Sequence, residues 1–190
     1  NVGTSFIPAS GLVRSITRAT DKTQRDIEGE GFIDEFSNRL AANIPFLSRK
    51  LPPKYGVTGN IQERKGSAVE RFASPSPVST ENTDKVVEKA MLELDLPEFK
   101  LERKMNTNFI PGQKPEIYHL NDEEFEILRK AHVNASAILK TIIEGGAWDK
   151  MDKEAREITA RKVFSGPING AKKQVKNMIR MRLEGENPTP

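Results

Sequence analysis

Proline and glycine recur between Ile44 and Pro77 and again between Pro97 and Pro115, and no helical period survives across either stretch. Both stretches are longer than ordinary connections inside a compact domain. The chain is therefore expected to fold as short helices joined by straps that are either disordered or held against a partner surface. The composition agrees, because 36% hydrophobic residues against 30% charged in a 190-residue chain leave room for only a modest core.

The helices are legible at their ends. A first is expected from about Pro8 to Thr20, with Leu12, Val13, Ile16 and Ala19 on one face and Arg14, Arg18, Lys22 and Arg25 decorating the rest. A second, from about Gly31 to Ala42, is stopped by Asn43-Ile44-Pro45, and a third, from Asp84 to about Asp95, is capped by Thr83 and ended by Pro97. The sharpest local signal is Leu120-Asn121-Asp122-Glu123-Glu124-Phe125. Asn121 and Glu124 have the spacing of a capping box, and Leu120 with Phe125 that of a hydrophobic staple. The helix they open should run to Glu144, where Gly145-Gly146 supplies a left-handed stop. Another helix begins near Asp152, Ser165-Gly166-Pro167 should kink or interrupt it, and a last one resumes to about Leu183.

The expected fold is all-α: several short amphipathic helices joined by long irregular extended straps, with a C-terminal helical hairpin or three-helix unit. Its divisions are an N-terminal helical segment (1–45), an irregular strap and linker (46–82), a short helix (83–96), an extended strap (97–120), a helical domain (121–184) and a tail (185–190). A turn or small hairpin is expected near Tyr55 to Asn60, and Ser74-Pro75-Ser76-Pro77 reads as a linker. The straps carry Phe46, Leu51, Tyr55, Phe72, Phe99 and Phe109, apolar bulk that is costly to leave in water. These residues are expected to pack on neighbouring copies or on another protein.

The chain holds no cysteine and only two histidines, His119 and His132, so disulfides, thiolate metal sites and histidine-rich metal sites are excluded within it. It has no glycine-rich phosphate loop ending in Lys-Ser or Lys-Thr and no HExxH. No cofactor is expected. His132 falls mid-helix near the apolar face and reads as a core or boundary histidine. Asp122, Glu123, Glu124 and Glu126 crowd a helix start, where the helix dipole favours negative charge. Trp148, after the glycine stop, reads as a clamp between helix ends. The one charge feature above background is basic: Arg161, Lys162, Lys172, Lys173, Lys176, Arg180 and Arg182, bordered only by Glu157 and Glu184. Three readings stand for it: phosphate contact with nucleic acid, docking on an acidic protein surface, or a solvated face. Few aromatic residues lie nearby in sequence, which argues against single-strand binding. The net charge of +3 decides nothing by itself.

Two stretches resemble large internal virion proteins of phages, those ejected with the genome and related tape-measure-like polypeptides. One is FIPASGLVRSITRATDKTQRD followed by IPFLSRKLPPKYGVTGN, similar to that family's amphipathic helix with an Arg-Ala-x-Asp element and its Leu-Ser-x-x-Leu-Pro-Pro strap. The other runs from Leu120 to Leu183 and is similar to its later helical pair, with an acidic cap and a basic closing helix. The opening on Asn1 rather than Met is expected of a processed product or an excerpt. The resemblance implies a non-enzymatic structural segment of a phage internal core or ejection apparatus that assists genome delivery. It implies a virion location, inside the capsid or tail and in the host periplasm after ejection. Partners would be further copies of the chain, other virion proteins, genomic DNA and the host envelope. Two alternatives remain: a nucleic-acid-binding module using the basic C-terminal helix, and an accessory segment of a cell-wall transglycosylase polypeptide. No stretch matches the catalytic glutamate motif of the latter.

Overall fold

A computed structural model describes residues 10–28, 32–64, 66–73, 80–81, 85–96, 99–110 and 114–186. Contacts group the chain into two compact units, Asn1–Tyr55 with Ile61–Thr83, and Gly56–Asn60 with Asp84–Pro190. The chain is mostly helical but not purely so, because two short antiparallel strand pairs stand beside the helices.

The first unit contains α1 (Ser10–Thr20), α2 (Phe32–Ala41), β1 (Glu63–Arg64), α3 (Ala68–Ala73) and β2 (Thr80–Glu81), with β1 paired to β2. Extended backbone around Gln24, Lys54 and Gln62 is knitted by Gln24 N to Gln62 O (2.9 Å), Lys54 N to Gln24 O (2.8 Å) and Gln62 N to Lys54 O (2.8 Å). The described residues of the segment expected as an irregular strap, Gly56–Asn60 apart, thus make backbone hydrogen bonds within this unit, and the segment carries α3 as well. The Ser74-Pro77 linker lies outside the described residues, as do the Thr83 cap and Pro97.

What fills this unit is polar. Among its described residues no apolar side chain is buried, whereas Thr17, Asp21, Ser48 and Arg71 are. α1 and α3 pack together. The last carbonyls of α1, which a helix cannot pair internally, are capped by three arginines. Arg71 donates to Arg18 O (2.8 Å) and Ala19 O (3.0 Å), Arg49 to Thr20 O (3.1 Å) and Arg64 to Asp21 O (2.6 Å). The Asp21 carboxylate accepts from Arg25 Nε (2.9 Å), Ser48 Oγ (2.9 Å) and Thr23 N (3.1 Å). Burial pushes its pKa upward, but the Arg25 and Ser48 bonds outweigh it and the group titrates below the ordinary carboxylate value. Arg25, expected as surface decoration, is structural.

The second unit contains α4 (Lys85–Leu94), β3 (Lys104–Asn106), β4 (Ile117–His119), α5 (Asp122–Glu144) and α6 (Lys153–Glu186). α5 and α6 form the main helix pair, joined through Gly145, the left-handed Gly146 (φ 72°) and a 3-10 turn at Trp148–Lys150, and α4 packs on both. The core is Val87 and Met91 from α4, Phe125, Leu128 and Leu139 from α5, and Phe164, Ile168, Val175 and Ile179 from α6. Each large side chain so buried contributes about 1.5–3 kcal/mol. The start of α5 carries its capping box: Asn121 Oδ1 accepts from Glu124 N, and Glu124 Oε2 from Asn121 N, both at 2.9 Å.

Two expectations are corrected in this unit. The extended strap from 97 to 120 contains an antiparallel pair, with Lys104, Met105 and Asn106 opposite His119, Tyr118 and Ile117. Thr107 then closes the loop through Glu116 O, Glu116 N and Ile110 N. Period-2 patterning over three residues is too short to read from sequence. Pro167 lies inside a single 34-residue helix rather than between two. Ala160 and Phe164 before it and Ile168, Ala171 and Val175 after it are all buried, and this packing holds the helix together across the missing N–H.

Gly56–Asn60 belong to the second unit because they sit on α5. Gly59 has φ +75°, and a Cβ there would lie 2.8 Å from Arg129 O and 2.9 Å from Val133 Cγ2. His132 Nδ1 lies 2.8 Å from Val57 O, and because a carbonyl only accepts, the proton sits on Nδ1. Burial holds this imidazole below the ordinary histidine pKa, against the pull of the Val57 bond and with help from the Lys172 charge.

Candidate nucleic-acid interface

From Arg161 to Arg180, α6 carries Arg161, Lys162, Lys172, Lys173, Lys176 and Arg180 and no carboxylate. At 3.6 residues per turn, these six cations fall within about 120° of arc, beside the buried arc that holds Phe164, Ile168, Ala171 and Val175. Ser165 and Asn169 lie between them on the same face. Core packing on one side of the helix thus presents the basic side outward.

The predicted basic residues do not all serve one surface. Arg182 falls among the core positions; its Nη1 lies 2.9 Å from Glu124 Oε1 and donates to Tyr118 Oη at 2.7 Å. Glu124 is wholly buried. Arg182 is therefore removed from the candidate surface and assigned to the α5 cap. Burial first, then the Glu124 charge, pushes the Tyr118 phenol above its ordinary pKa. Arg180 donates to Phe109 O at 3.2 Å, and Lys176 Nζ lies 5.1 Å from the Phe109 ring centroid, so these two bind the β3–β4 loop to α6. Arg161 pairs with Glu157 at 3.0 Å on an exposed turn. Lys162 and Lys173 are exposed and Lys172 is half-buried, and among the described residues no carboxylate pairs with any of the three. The open part of the stripe runs from Arg161 to Lys173, roughly 18 Å along the helix axis.

Within that stretch α6 forms one wall of a cleft of about 300 Å³ lined by Phe99, Arg161, Ser165, Ile168, Asn169 and Lys172. Phe99 comes from the strap after α4 and stands 5.4 Å, centroid to centroid, from Phe164. In the sequence only Phe164 stands close to the basic residues; the fold adds Phe99. Phe99 was expected to face a partner, but at 5% exposure it is core, as is Ile110. Its sequence signal was its own apolarity, which cannot say what it meets.

The remaining residues expected at assembly contacts divide. Leu51, Tyr55 and Phe109 are half-buried, while Phe72 is 44% exposed and Phe46 is 74% exposed at a left-handed φ of 69°. Among the described residues no cluster of three His, Asp or Glu side chains could hold a metal ion, and no helix is long and apolar enough to cross a membrane.

Comparison with protein-family models, with curated proteins and with solved structures yields no match for this chain.

Proposed function

We propose that this chain is a non-enzymatic helical segment of an internal virion protein, one that holds genome phosphates on the basic face of α6. The observation that carries this reading is the carboxylate-free run from Arg161 to Arg180, on whose open side Lys162, Lys172 and Lys173 have no carboxylate partner among the described residues. Closely spaced cations on a rigid helix neutralise backbone phosphates and release condensed counterions, which gives affinity without sequence preference. The virion setting comes from the resemblance of the two sequence stretches to phage internal proteins. The lack of any buried apolar side chain among the described residues of the first unit suits a segment that unfolds and refolds during delivery.

The test is binding of a labelled random-sequence duplex to the full chain and to a variant carrying Lys162→Glu, Lys172→Glu and Lys173→Glu. The reading expects the variant to bind at least tenfold more weakly at low salt. Equal binding would overturn it.

A second reading is favoured by one specific observation. The first unit exposes Phe46, Val69 and Phe72 while burying no apolar side chain among its described residues. Such surface is characteristic of a protein completed by association. Sedimentation of the chain across a range of concentrations tests it; Phe46→Ser with Phe72→Ser should shift any oligomer to monomer.

A further inference from the structure

The α6 cleft carries more chemistry than a phosphate stripe requires. Duplex backbone contact needs only exposed cations at the right spacing. Here two cations, Arg161 and Lys172, flank a recess of about 300 Å³ that also holds a hydroxyl, Ser165, a carboxamide, Asn169, and apolar lining from Phe99 and Ile168. The volume is at the lower end of those that take small organic groups. We infer that this cleft accepts one unpaired nucleotide, with its base in the recess and its phosphates on Arg161 and Lys172. The inference rests on the polyanion reading of α6 and narrows it to a preference for unpaired over duplex nucleic acid.

Each part has a physical reason. A base is a flat group with apolar faces and a polar edge, and the recess has the nearly buried Phe99 and Ile168 at its base beside an amide that both donates and accepts. Asn169 is exposed and Ser165 half-buried, so their polar atoms can reach an entering edge. The Arg161 guanidinium is planar and can lie against a base while its charge serves the phosphate. Its pair with Glu157 is exposed, and an exposed pair exchanges at little cost. Lys172 is half-buried and has no carboxylate partner among the described residues, so an incoming phosphate would give it one. A base within a duplex cannot enter, because stacking and pairing hold it in the helix. A single strand or an extrahelical nucleotide can.

The experiment compares three labelled oligonucleotides of equal length on the full chain at fixed salt: a duplex, the same duplex with one extrahelical nucleotide, and a single strand. The expected result is about tenfold tighter binding of the two substrates with an unpaired base, the scale of one accommodated base. Ser165→Trp, which fills the recess, should bring the ratio of unpaired to duplex affinity to about one, and so should Asn169→Trp on the exposed rim. Circular dichroism and the urea midpoint establish that each variant is folded. Equal affinity for all three oligonucleotides, with a ratio that Ser165→Trp and Asn169→Trp leave unchanged, would overturn the inference while the polyanion reading stands. Binding to none of them would overturn both.

Discussion

Arg182 Nη1 lies 2.9 Å from the Glu124 carboxylate, joining the end of α6 to the N-terminal cap of α5 across 58 positions of sequence. Glu124 therefore has two duties: it closes the capping box on Asn121 N and pairs with Arg182, which falls on the core side of α6. Arg182→Met leaves a buried carboxylate without its cation. A fully buried pair broken on one side costs about 3–5 kcal/mol. Arg182 is 36% exposed, so solvent screens part of this and the expected loss is nearer about 2 kcal/mol, read from urea unfolding. In Glu124→Gln the Tyr118 phenol should titrate closer to its ordinary value, because one of the causes raising it has gone.

Gly59 and Gly146 both have positive φ, but only Gly59 is crowded, by Arg129 O and Val133. Gly59→Ala adds a collision with backbone to the left-handed penalty. It should cost about 2–3 kcal/mol, against about 1 kcal/mol for Gly146→Ala. Gly170, helical and open to solvent, gives the reverse sign: Gly170→Ala should stabilise by about 1 kcal/mol. Urea midpoints of the three variants check the order.

His132 makes stability depend on pH. Its folded pKa is depressed, so the unfolded chain binds the proton more readily. Stability is full above the unfolded value of about 6.5 and falls as pH drops through it, levelling below the folded pKa. The chain should unfold at lower urea at pH 5.5 than at pH 7.5, and His132→Gln should remove most of that difference. Asp21, whose folded pKa is lowered, acts in a separate window, with stability lost only as pH falls below about 4.

Arg71 tests the polar centre of the first unit. Arg71 is 7% exposed, and its guanidinium donates to the carbonyls of Gly66, Arg18 and Ala19. Lysine keeps the charge but cannot present the planar fork. Arg71→Lys should therefore lose about 2 kcal/mol, as charged hydrogen bonds to buried carbonyls are each worth about 1.5–3 kcal/mol and lysine recovers part of them. Hydrogen exchange at the end of α1 should rise in the variant and stay unchanged in α5.

What was legible in the sequence was local. The α5 cap needs only Asn121 and Glu124, three positions apart, and the structure closes it as read. The bounds of α1, α2 and α4 follow from apolar spacing and nearby stops. What was hidden lies in contacts across long sequence separations. Arg71 reaches carbonyls more than 50 residues away, and Phe99 meets Phe164 through the fold alone. Pro167 was read by its usual effect, yet the buried residues around it carry the helix through. The basic residues were visible as a group, but only the helix face and the position of Phe109 divide them into open and engaged members.

The most direct measurement of the account is the salt dependence of duplex binding. Lys162, Lys172 and Lys173 have no carboxylate partner among the described residues, and three phosphate contacts predict that log K falls against log salt with a slope of about −2.7. The variant with Lys162, Lys172 and Lys173 changed to Glu should show no measurable duplex affinity at the salt where the parent chain binds. A slope near zero for the parent chain, or the same slope and affinity in the variant, would contradict a phosphate-binding face on α6.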